Sequence, residues 1–79
     1  MLVCHGADDP YVKAEDLAAF ESELRDAKVD WRLNKYGGAV HSFTVAEAGN
    51  DNSTGMAYNK VADERSWKAL QSFFEEIFR

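Results

Sequence analysis

The residues of this chain that could do chemistry gather in two short stretches, His5-Gly-Ala-Asp-Asp-Pro-Tyr-Val12 and Tyr36-Gly-Gly-Ala-Val-His-Ser-Phe-Thr44. The first offers His5, Asp8 and Asp9, the second His41 and Ser42, and Cys4 stands just before the first. A carboxylate paired with an imidazole fixes the ring's tautomer and orientation and stabilises the imidazolium, which equips the histidine as a general base. Each group also has a plainer reading. A histidine after a strand serves as a hydrogen-bonding structural residue. Asp8-Asp9-Pro10 is turn chemistry, with an Asx-type bond to the backbone and proline fixing the next φ. Cys4, inside an apolar run, reads as a buried and inert thiol. Ser42 follows His41 directly, and adjacent side chains of an extended segment point apart. His5, Asp8, Asp9 and His41 lack the helical or finger spacing of a metal site, so neither a metal nor a cofactor is expected.

The elements that must position these groups are legible in the hydrophobic pattern. Met1 to Cys4 is a short apolar run stopped by turn residues, which suits a strand buried on both faces. A helix is expected from about Ala14 to Lys28, with Leu17, Phe20, Leu24 and Ala27 on one face. Glu15 and Asp16 in its first turn and Arg25 and Lys28 in its last match the helix dipole. Val29 to Tyr36 alternates, with Val29, Trp31 and Leu33 pointing one way, as a strand with one buried face does. Gly37-Gly38 permits a tight turn that presents His41. An irregular segment from about Thr44 to Tyr58 follows, long enough to be functional or mobile. A second helix is expected from about Asn59 to Phe78, with Trp67, Leu70, Phe74 and Ile77 as its stripe and Phe73 and Phe78 widening it.

Strand, helix, strand, helix makes a βαβα unit, whose two strands should lie parallel with a right-handed crossover. In open parallel sheets functional groups collect in loops at the carboxyl ends of the strands, and both chemical stretches fall there. Two parallel strands do not make a stable sheet, however, so the pattern describes a piece of an α/β sheet. A chain of 79 residues is one small domain, residues 1–79, with a marginal core. A single cysteine excludes an internal disulfide framework, which leaves packing or self-association. The net charge of −5 argues against nucleic acid and anionic membranes, which call for a basic face. No apolar run approaches the length of a membrane span or signal-peptide core, and with one free thiol the expected location is the cytoplasm.

The stretches "HGADDPYV", "EDLAAFESEL", "VDWRLNKYGGAVHSFT" and "GMAYNKVADERSWKALQSFFEEIF" together resemble the C-terminal third of the dienelactone hydrolase family, which has the α/β-hydrolase fold. "YGGAVHSFT" and "GMAYN…ADERSW" are the specific motifs; the Gly-x-x-Asp-x-x-Val loop is shared more widely. The resemblance implies hydrolysis of esters and lactones by a cysteine or serine nucleophile, an aspartate and a histidine, in that chain order. It makes Asp9, three residues after Gly6 and three before Val12, the triad acid, and His41 the base. The family's nucleophile sits on a Gly-x-Cys-x-Gly or Gly-x-Ser-x-Gly elbow upstream of this region. Glycines stand here at 6, 37, 38, 49 and 55, and no two are four apart, so these residues hold no elbow. Acid and base without a nucleophile do not perform covalent acyl transfer.

Three readings follow. The chain is the terminal segment of such an enzyme, active when another chain supplies the nucleophile. It is a silent remnant that persists as a small oligomer or interaction module. Or His41, held by Asp9, performs weak non-covalent general-base chemistry. Under each, an unpaired sheet edge and bare apolar helix faces favour a homodimer or larger assembly.

Overall fold

The structure is a computed structural model and describes residues 1–78. Strand β1 (Leu2–Gly6) is followed by helix α1 (Ala14–Asp26), strand β2 (Arg32–Tyr36), two 3₁₀ turns over Ala46–Ala48 and Asn52–Thr54, and helix α2 (Lys60–Ile77). The strands pair in parallel, Leu2 opposite Arg32 through Gly6 opposite Tyr36. The βαβα order and the parallel pairing read from the sequence are those of the molecule.

β1 differs from expectation in its burial. Leu2, Val3, Cys4 and His5 are only half-buried. A strand is buried on both faces when it has neighbours on both edges and helices on both sides. β1 has one strand neighbour, and α2 is the helix that packs on it. α1 contributes one buried residue, Leu24, while Phe20 of its expected stripe stands exposed.

β2 begins three residues later than the alternation suggests, because α1 ends in a hydrogen-bonded reversal. Lys28 adopts a left-handed conformation (φ 57°). Its amide donates to the Arg25 carbonyl at 3.0 Å and the Val29 amide to that of Leu24 at 3.3 Å. This is the paired bond pattern of a Schellman cap, with lysine where glycine is usual. Residues 27–29 belong to that turn, and Val29 is exposed. Trp31 is half-buried, with the Arg25 guanidinium 5.6 Å from its ring centroid.

The second helix starts at a side-chain cap. Asn59 Oδ1 accepts the Ala62 amide at 3.0 Å, which satisfies one of the orphan donors of the first turn. Tyr58 donates its hydroxyl to Asp63 at 2.7 Å, and that bond to a carboxylate raises the phenol above its ordinary range. The core lies beneath this junction: Ala39, Phe43 and Ala62, with Cys4 and Tyr36 against them.

Candidate active site

β1 leaves the sheet at Gly6, directly beneath the loop that follows β2. A Cβ on Gly6 would stand 2.7 Å from the Val40 carbonyl oxygen and 2.8 Å from that of Ala39. Both obstacles are backbone, so only glycine lets the loops approach this closely. The Asp8 amide donates to the Ala39 carbonyl at 2.9 Å, and Asp8 Oδ2 accepts the Gly38 amide at 3.0 Å. Gly38, at φ 77°, provides the positive-φ turn expected of the glycine pair. Asp8 is therefore engaged in tying the two loops together.

The neighbouring carboxylate faces the other way. Asp9 Oδ1 accepts the Tyr11 amide at 2.9 Å, and Asp9 Oδ2 lies 3.0 Å from His41 Nδ1. A carboxylate oxygen only accepts, so Nδ1 is the donor, and the neutral ring keeps its lone pair on Nε2. The Asp9 side chain is 8% exposed and that of His41 48%. The acid is covered while the imidazole opens outward. Asp9 uses both its oxygens, one closing an Asx-type turn and the other binding the histidine.

His41 is held by its backbone as well. Its amide donates to the Gly55 carbonyl at 3.2 Å and its carbonyl accepts the Ala57 amide at 3.1 Å, a one-residue parallel bridge to Met56. The long segment after Phe43 is thus organised around the site. Asn52 and Asn59 both donate to the Gly38 carbonyl, at 3.1 and 3.4 Å. Asp51 accepts the Ser53 amide and hydroxyl, and those bonds hold its carboxyl below the usual range.

The remaining candidates do not join the pair. Cys4 is half-buried and its sulfur accepts the Tyr36 hydroxyl at 3.8 Å; burial raises the Tyr36 phenol. Ser42 is not extended as expected: it sits at φ 61° in a turn where its carbonyl accepts the Val45 amide. His5 is half-buried within β1. Among the described residues, no three of His, Cys, Asp and Glu gather to hold a metal. One participant escaped the sequence reading. Tyr11 places its ring edge-on to His41, centroids 5.2 Å apart at 74°, and its one sequence signal is an aromatic directly after Asp8-Asp9-Pro10.

A covered carboxylate that orients a half-exposed imidazole through Nδ1, at the carboxyl edge of a parallel sheet, is an arrangement able to do general-base chemistry at Nε2. The family model of the dienelactone hydrolase family matches residues 1–78, and the chain belongs to that family. It is 37% identical over 76 residues to the uncharacterised protein K02A2.1 of Caenorhabditis elegans, covering 96% of this chain and 48% of that protein. A solved dienelactone hydrolase-like promiscuous phosphotriesterase, P91, from metagenomic libraries superimposes with a TM-score of 0.87 at 49% identity, over 95% of this chain and 31% of its own. A structure described as m3DLH gives 0.86 and 44%, with the same coverage. The chain thus spans about half of the curated relative and about a third of the solved chains.

Proposed function

We propose that this chain carries the acid and base of a Cys/Ser–Asp–His triad for ester and lactone hydrolysis, with the nucleophile contributed from outside these 79 residues. Asp9 orients His41, and His41 Nε2 takes the proton of the incoming nucleophile and returns it to the leaving group. The observation that carries the reading is the 3.0 Å bond from a half-exposed His41 to a covered Asp9. One similar protein is described as a promiscuous phosphotriesterase, which adds phosphotriesters to the substrate classes worth assaying. The partner in this reading is a nucleophile-bearing segment or chain, and the single free thiol fits a cytoplasmic setting.

The test is hydrolysis of p-nitrophenyl acetate by the 79-residue chain and by the same chain joined to the nucleophile-bearing portion of a relative. Turnover is expected only in the joined form, and His41→Ala there should lower kcat by about 10²–10⁴-fold. Equal turnover with and without His41 overturns the proposal. A second reading, a non-catalytic oligomer or interaction module, draws on the exposed apolar surface of α2, where Trp67 is 57% and Phe78, just past its end, 77% exposed. Failure of the joined form to turn over any ester, lactone or phosphotriester would favour it.

A further inference from the structure

An imidazole held by one hydrogen bond is not fully fixed. The second side-chain torsion of histidine is broad and two-fold, and a half-turn exchanges Nδ1 with Cδ2 and breaks the bond to Asp9. About half of the His41 side chain faces outward, so core packing does not prevent that turn. The neighbour that stands in its way is the Tyr11 ring, 5.2 Å away and nearly perpendicular.

Tyr11 is itself tied at three points, although 61% of it is exposed. Its amide donates to Asp9 Oδ1 at 2.9 Å, and its hydroxyl to the Thr54 carbonyl at 3.4 Å. Its ring lies over Gly55, where an added Cβ would come within 3.2 Å of Cε2. Gly55 in turn supplies the carbonyl that accepts the His41 amide. A single residue therefore touches the acid, the base and the loop that holds the base.

We propose that Tyr11 is a positioning residue for His41: its ring confines the imidazole to the orientation in which Nδ1 faces Asp9 and Nε2 faces outward. The inference rests on His41 being the base of the proposed triad, but its test needs no substrate. In ¹⁵N-labelled protein at alkaline pH, long-range ¹H–¹⁵N spectra report which ring nitrogen carries the proton, and His5 serves as an internal reference. The parent and Tyr11→Phe should show His41 in the Nδ1–H form. Tyr11→Ala and Tyr11→Leu should raise the Nε2–H share about three- to tenfold, with the backbone signals of Gly38 and Leu33 and the ring of His5 unmoved.

An unchanged His41 tautomer ratio in the folded Ala and Leu variants overturns the proposal. If one of them does not fold, the other decides; loss of fold in both also overturns it, because Tyr11 would then be a fold residue. Absence of esterase activity leaves this result standing. An unmoved tautomer removes Tyr11 and leaves the hydrolase proposal intact.

Discussion

Asp9 and His41 lie 32 positions apart in the chain, and what brings them together is an unusually close passage of two loops at Gly6. The two carbonyls that a side chain there would strike belong to residues just before His41. Gly6→Ala should therefore destabilise by about 1–3 kcal/mol and separate the loops, read as a lower urea midpoint and a weakened Asp9–His41 bond in the imidazole spectrum. A variant with the parent's midpoint and ring signals would show that the backbone yields at no cost. From sequence, the identity of the acid rested on the family resemblance, because spacing alone left Asp8 and Asp9 equivalent. What separates them is orientation: Asp8 meets the Gly38 amide, Asp9 the imidazole. The Tyr11 contact was not legible, since an exposed ring acquires a partner only once the loop around it has a shape.

Helix spans were legible to within about two residues, because apolar spacing and charge placement both mark them. The start of β2 was not, and Lys28 is the reason. A left-handed glycine after a helix announces itself in sequence; a left-handed lysine does not. Relieving that conformation should help the fold. Lys28→Gly is expected to raise stability by up to about 1 kcal/mol, the left-handed cost of a side chain less the added freedom of glycine in the unfolded chain. Urea denaturation measures it, and a lower midpoint would mean that the lysine side chain contributes more than its backbone costs. Ser42 escaped detection for the same reason, as a non-glycine residue at positive φ. The segment from Thr44 to Tyr58 read as irregular, yet its Asn52 side chain bonds the Gly38 carbonyl and its backbone at Gly55 and Ala57 bonds His41.

The whole molecule is a slab, 37 × 32 × 16 Å. Its radius of gyration is 13.6 Å, against about 11.6 Å for a compact domain of this length. Its accessible surface of 5643 Å² exceeds by roughly 800 Å² what a monomer of this mass shows. That excess is close to one partner's share of a standard interface, and no large side chain among the described residues is fully buried. Trp67, Leu70, Leu2 and Cys4 line an open cleft of about 370 Å³ between α2 and β1. Such a chain is expected to associate, as a homodimer or larger. Light scattering at micromolar concentration should give at least twice 8.9 kDa, and Trp67→Lys should lower that mass. A cooperatively folded monomer overturns the expectation. An apolar run does not say how many neighbours a strand has, so β1 reads in sequence as fully buried although it pairs with one strand and packs against one helix.

The divided carboxylate of Asp9 has a consequence for descent. One oxygen closes a turn that the fold uses whether or not any reaction takes place, and the other serves the imidazole. Under the proposed function, a lineage that abandoned hydrolysis would still be under selection to keep the aspartate for its turn, whereas the half-exposed ring of His41 closes no such turn. If the proposed function holds, persistence of Asp9 among descendants would record architecture, and the fate of position 41 would record catalysis.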